Sequence, residues 1–230
     1  MTIKELMNWY RQHGYQFLAM GEHAEDLDEA KVQALQEQSA ENSNDAFCVI
    51  PGIEFAGNND IHIVGIGATR LIRAENPVAV AAKIHEQGGL AVLAHPKRIG
   101  WVCPAEVLLV LDAAEIWNVG YDGKYLPSVK ALGGFRRMQQ INPKLLAVAS
   151  HDFHRTTSFY DVAIEMEVAS LSRETILRNL QHGSYRIRSR FFRCDPEARI
   201  SRMKAASLRL LSQQLSNIRK VRTVLLRRSA

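Results

Sequence analysis

Along residues 1–180 the spacing of apolar positions switches repeatedly between a helical period and short unbroken runs. Ile3, Leu6, Met7 and Tyr10 share one helical face, and Gly14 offers a stop. Tyr15–Met20 is a short apolar run that predicts a buried strand, and a polar, Glu-rich helix is expected over Asp26–Ser39. Strands are expected at Phe47–Ile50 and Ile61–Gly65. The next helix runs from Pro77, whose missing N–H costs nothing at a first helical position, to Gln87 before Gly88-Gly89. Further strands fall at Leu90–Ala94, Ala114–Trp117 and Leu145–Ala149. Helices are expected near Ser128–Gln139 and from Ser172 to about Leu180. Short strands with little polar alternation, separated by helices, predict an α/β fold with a mostly parallel sheet buried on both faces. An α/β barrel and an open doubly wound sheet fit this pattern equally well. Neither an internal repeat nor a low-complexity tract interrupts it.

The polar residues at the ends of these runs change the picture. Tyr15–Met20 leads into Glu22-His23, Phe47–Ile53 into Glu54, Leu90–Ala94 into His95-Pro96, Ala113-Ala114 into Glu115, and Leu145–Ser150 into His151-Asp152-Phe153-His154. His62 lies inside its own run. Parallel sheets gather the C-terminal ends of their strands at one face, so residues scattered in sequence would converge there. Imidazoles and carboxylates in that mixture are ligands for Zn, Mn or Fe, and a group of them could hold more than one ion. Taken singly, each histidine is better read as structural. His13, His85 and His182 lie on or at the ends of expected helices, and His62 alone would serve equally as a satisfied core histidine. Repetition at strand ends favours ligands.

Charge is unevenly distributed. Residues 181–230 carry thirteen Lys/Arg against Asp195 and Glu197, a local net of +11, which leaves −6 for the first 180 of a chain whose total is +5. The boundary predicts a body over 1–195 and a basic amphipathic helix over 196–230, with Ile200, Met203, Leu208, Leu211, Leu215, Ile218, Val221 and Leu225 on its apolar stripe. That stripe favours packing on the body or on a second copy, a homo-oligomer. The Arg186, Arg188, Arg190 and Arg193 spacing around Phe191-Phe192 is a weaker pointer to nucleic acid or an anionic membrane surface. Cys48, Cys103 and Cys194 are three and far apart, which excludes a disulfide framework or a CxxC knuckle. No apolar run reaches the about 20 residues of a transmembrane helix, and Met1-Thr2-Ile3-Lys4-Glu5 leads straight into an amphipathic pattern. A reduced, cytoplasmic setting is expected.

The motifs, in order, resemble those of the PHP (polymerase and histidinol phosphatase) family. The run Gly14–Met20 into Gly21-Glu22-His23 resembles its strand ending in Thr-Asp-His or Thr-Glu-His. Pro51-Gly52-Ile53-Glu54 resembles its Gly-hydrophobic-Glu, and His62-Ile63-Val64-Gly65 its His-hydrophobic-hydrophobic-Gly. Leu93-Ala94-His95-Pro96 resembles its Ala-His-Pro, and Ser150–His154 its terminal Ser-Asp-x-His with His151 intruding. The resemblance covers roughly residues 1–155. It implies a distorted (β/α)7 barrel, up to three divalent transition metals and hydrolysis of a phosphate ester. Glu54 would bridge two ions, His62 and His95 would complete one centre, Asp152 would serve the other, and His23 with His154 would hold a third. Glu54, Asp152 and His154 would then be the catalytic residues. Family members open with a strand carrying His-x-His and an Asp downstream, ahead of the helix that here begins near Thr2. On the resemblance the chain lacks that strand, and only the centre of Glu54, His62 and His95 keeps its full set of protein ligands. An open seam of that kind would favour association.

A small phosphorylated substrate calls for cations beside the metals. Lys97 and Arg98 follow His95-Pro96 directly, Arg155 follows His154, and Asn118 closes a segment that resembles one near the family's pocket. Each could equally be a solvated or loop-capping residue. His151 could be an extra ligand or a general acid, or could point away across the turn. Two functions compete with the phosphoesterase. One is a catalytically impaired scaffold that binds or regulates a partner through its basic tail; the other is a nucleic-acid phosphodiesterase.

Overall fold

The chain opens with a reciprocal cap: Thr2 Oγ1 accepts the Glu5 N–H at 3.2 Å and Glu5 accepts the Thr2 N–H at 2.7 Å. Two orphan donors are thereby satisfied, and helix α1 (Ile3–Gln12) starts there. Its Ile3, Met7 and Tyr10 are buried, and Gly14 at φ +84° takes the left-handed conformation that ends it. This computed structural model describes residues 1–122, 126–154, 161–200, 206–208 and 210–211. After α1 come β1 (Phe17–Ala19), β2 (Glu22–His23), α2 (Glu29–Glu41), β3 (Cys48–Ile50), β4 (Gly52–Ala56) and β5 (His62–Ile66). The order continues with α3 (Pro77–Glu86), β6 (Leu90–Leu93), α4 (Ala105–Leu108), β7 (Ala113–Asn118), α5 (Val129–Ile141), β8 (Leu146–Ser150), β9 (Val162–Glu165), α6 (Arg173–Gln181), β10 (Arg186–Ser189) and β11 (Arg193–Cys194). Asp28, Asn76, Ser128 and Ser172 cap α2, α3, α5 and α6 through their side-chain oxygens.

The principal sheet has six strands in the order β2-β4-β5-β6-β7-β8. β2/β4, β6/β7 and β7/β8 are parallel, whereas β4/β5 and β5/β6 are antiparallel. The expectation of a mostly parallel sheet is therefore corrected at β5. Gly57–Ile61 is too short for a crossover, and the Gly57 N–H bonds the Ile61 carbonyl at 2.8 Å to turn the chain back. A second correction concerns the run Phe47–Ile53. It breaks at Pro51, which has no N–H to give a ladder, so β3 pairs with β1 in a small sheet while β4 joins the large one. Glu54 thus sits in the middle of a strand, not after one. A third concerns Arg186–Ser189. No strand was expected there; it is one, between β9 and β11, with Ile187 buried and Arg188 and Arg193 both near Glu165, at 3.5 and 2.9 Å.

The helices and the outer face of the sheet enclose the main core, which includes Ile53, Ile63, Ile84, Leu93, Ile116, Trp117 and Phe135. Ile3, Met7, Tyr10, Met20, Leu35, Phe47 and Val49 form a second cluster under α1. Two described residues beyond 195 rest on the body: the Ala147 N–H bonds the Pro196 carbonyl at 2.6 Å, and Leu208 is buried. Residues 206–208 and 210–211 are helical, residues 196–200 are turn and irregular chain instead of the expected helix, and the rest of that helix lies outside the described residues. No helix among the described residues is long and apolar enough to cross a membrane.

Candidate metal site

Strand alternation and ladder register decide which side chains share the inner face. Glu54 pairs with Val64, Ala56 with His62, and Val64 with Val92, so Glu54 and His62 point the same way on adjacent strands. Gly52 is required two residues before Glu54, because a Cβ there would lie 2.2 Å from the Met20 carbonyl oxygen and 3.0 Å from that of Gly65. The absent side chain lets the segment before β2 approach β4, which brings His23 beside Glu54 with Nε2 3.8 Å from Oε2.

His95 follows Leu93 and Ala94 and would face outward if the strand continued. Its φ of +29° breaks the alternation and turns the imidazole inward. Glu54 Oε1 then lies 2.6 Å from His62 Nδ1 and 3.1 Å from His95 Nε2. Among the described residues, Glu54, His62 and His95 are the group whose donor atoms all lie within 4.8 Å of one another. Burial pushes the Glu54 carboxyl up, but the hydrogen bonds from His62 and His95 outweigh it and hold the group at about 2. Burial likewise works against a charged His95, yet the bond to Glu54 and the nearby Glu115 raise its pKa on balance.

A second irregularity shapes the other half of the site. The β7/β8 register shifts between Glu115 and Trp117, so Ile116 is an extra residue. In an unbroken alternation Asn118, three residues on, would face away from Glu115; with the bulge both side chains reach the inner face. Glu115 Oε2 accepts the His95 N–H at 2.7 Å and the Asn118 Nδ2 at 2.9 Å. Asn118 Nδ2 also lies 3.3 Å from Asp152 Oδ2, and its Oδ1 accepts from the N–H groups of Gly120 and Tyr121. Asn118 is therefore a loop cap and a link to Asp152. Burial raises the Glu115 pKa.

At the end of β8, Asp152 adopts φ +49°, and the ring of His154 lies 5.9 Å from that of His23, centre to centre. His154 Nδ1 bonds the Asp152 carbonyl at 2.9 Å. A cavity of about 700 Å³ is lined in part by His23, Glu54, His95, Asn118, Asp152 and His154. The six expected ligands thus fall into a close trio, a facing pair of His23 and His154, and Asp152 joined through Asn118. His151 turns the other way, between Tyr10 Oη at 2.9 Å and Tyr15 Oη at 3.3 Å. Lys97 Nζ bonds the Tyr121 carbonyl, and Arg98 is engaged by Asp60 at 2.6 Å. Arg155 lies outside the described residues. His13 and His182 bond backbone carbonyls and His85 bonds Asp112, all structural roles.

Sequence reasoning reaches Glu115 as a strand-end acid but misses its link between His95 and Asn118. It also missed Asp60, 3.6 Å from His62 Nε2. The signal for Asp60 was its place two residues before His62, which has meaning only once the tight turn is known.

No protein-family profile matches the chain, and no curated protein matches it in sequence. Solved structures do. PsfC from Pseudomonas syringae PB-5123 aligns with a TM-score of 0.54 at 15% identity, over 93% of this chain and 88% of its own. A two-domain protein from Bacteroides vulgatus, described as containing a predicted PHP-like metal-dependent phosphoesterase, aligns with a TM-score of 0.53 at 15% identity over 76% of this chain. The chain spans 56% of the length of that protein. The likeness is one of fold: this chain has the architecture found in a PHP-like protein.

Proposed function

We propose that this protein is a PHP-type, metal-dependent phosphoesterase acting on a small phosphorylated substrate at the inner face of its six-stranded sheet. The observation that carries the reading is the Glu54 carboxylate held between His62 and His95, on a fold shared with a PHP-like protein. The donor set fits Zn, Mn or Fe, which take imidazole nitrogen and carboxylate oxygen. His95 Nδ1 is in addition buried without a hydrogen-bond partner among the described residues. Divalent ions bound here would supply Lewis acidity toward phosphoryl oxygens and a water of lowered pKa.

Glu54, His62 and His95 hold one ion in this reading. Asp152 with Glu54 would hold a second, and His23 with His154 a third, which allows one to three ions. Glu54 and Asp152 would hold the ions whose positive charge offsets that of the phosphoryl oxygens. The carbonyl bond of His154 Nδ1 leaves Nε2 as the nitrogen that meets an ion or a leaving oxygen. Lys97, Arg98 and Arg155 are the substrate-side groups, with Lys97 and Arg98 contributing positive charge beside His95. The six-stranded arc would form part of the wall of a distorted (β/α)7 barrel, with residues 1–195 as the catalytic body.

Metal analysis of the purified chain, with hydrolysis of an aryl phosphate measured with and without chelator, tests the reading. Bound transition metal and a chelator-sensitive activity, both lost in Glu54→Ala and His95→Ala, are expected. Activity that survives chelation, or no turnover with Zn, Mn and Fe supplied, would overturn it.

A further inference from the structure

Glu115 is a buried carboxylate at the wall of the cavity that the proposed chemistry does not use, and its position is unusual in what it connects. One of its oxygens, Oε2, takes both the His95 backbone N–H and the Asn118 side-chain amide. The same amide nitrogen reaches Asp152 Oδ2. His95 and Asp152 are each held at a positive φ that a non-glycine residue adopts reluctantly, +29° and +49°. Such conformations persist only where neighbours hold them. The link exists because Ile116 is bulged, which puts residues three apart in one strand on the same face.

We infer that Glu115 and Asn118 form a positioning bridge that fixes the His95 backbone and ties it to Asp152, so that the Glu54–His62–His95 group is set before any ion arrives. The inference rests on the metal-site reading above, and assigns to these two residues geometry, not contact with substrate. Outer partners of metal ligands typically control affinity 10- to 100-fold. A Gln oxygen can accept both bonds that Oε2 accepts, whereas Leu accepts neither.

The test compares Glu115→Gln, Glu115→Leu and Asn118→Ala in the full chain by Co²⁺ titration and, in chelator-treated protein, by the ¹⁵N-histidine NMR signals of His95. Glu115→Gln should bind Co²⁺ within about threefold of the unaltered chain, while Glu115→Leu should lose about 10- to 100-fold and shift the His95 resonances. Equal affinity in Glu115→Leu would overturn the bridge. Glu115→Gln losing as much as Glu115→Leu would overturn it too, because the carboxylate charge would then be what matters. Should Glu115→Leu fail to fold, Asn118→Ala decides: displaced His95 signals with weakened Co²⁺ binding support the bridge, and unchanged signals refute it. If the unaltered chain itself takes up no Co²⁺, the metal-site reading fails, and the His95 signals of metal-free protein still judge the bridge independently.

Discussion

Asp60 Oδ1 stands 3.6 Å from Nε2 of His62, while the other ring nitrogen of that histidine, Nδ1, lies 2.6 Å from Glu54. The two contacts divide the ring. In the metal-free chain Nδ1–H serves Glu54; were an ion to replace that proton, a proton on Nε2, toward Asp60, would give the tautomer whose Nδ1 lone pair meets the ion. Arg98 fixes Asp60 in turn through bonds of 2.6 and 3.2 Å.

Replacing Asp60 by Ala should therefore weaken metal binding about 10-fold to 100-fold. The fold should survive, since Asp60 is a turn residue at the surface. Calorimetric titration of the variant with Mn²⁺ or Zn²⁺ checks this, and affinity equal to that of the unaltered chain would remove Asp60 from the site.

The trio also makes metal-free stability depend on pH from two sides. Glu54 is lowered from its ordinary 4.5 to about 2, so its contribution is present above 4.5 and lost as pH falls toward 2. His95 is raised above its ordinary 6.5, so its contribution is complete below 6.5 and fades as pH climbs through the raised value. Thermal melts in chelator should show the stability difference between the unaltered chain and Glu54→Gln largest between about pH 4.5 and 6.5. A difference that is flat across pH 3 to 9 would contradict the coupling.

An ion that binds only the folded chain stabilises it by mass action, about 2.7 kcal/mol at a free concentration 100 times its dissociation constant. Adding Zn²⁺ or Mn²⁺ to stripped protein should raise the melting temperature, and chelation should reverse the rise. Glu54→Ala and His95→Ala should lose most of it. An equal rise in those variants would place the ion elsewhere.

Gly52→Ala tests how the site is assembled. The new Cβ would meet the Met20 carbonyl at 2.2 Å, a backbone atom that cannot rotate away. A loss of about 1–3 kcal/mol is expected from such overpacking, read as a shift of the urea midpoint. His23 should also move away from Glu54, which a weaker metal response would report.

Local chemistry legible in the chain accounts for much of this molecule. Thr2, Asn76, Ser128 and Ser172 mark helix starts because a cap needs only its own first turn. The apolar runs at Leu90, Ala114 and Leu145 mark strands because burial on both faces demands them. Strand ends likewise named His23, His95, Asp152 and His154 as neighbours of one cavity.

Direction was decided elsewhere. Whether β5 runs with or against β4, whether His95 points in or out, and whether Asn118 can touch Glu115 each turn on one or two backbone dihedrals. Register against strands distant in sequence sets those dihedrals. A single bulge or one positive φ reverses a side chain without changing the apolar pattern around it, because alternation carries no record of where it is interrupted. Residue types and their spacing therefore determined the candidate ligands and most of the elements that bear them, and only packing in three dimensions aimed them.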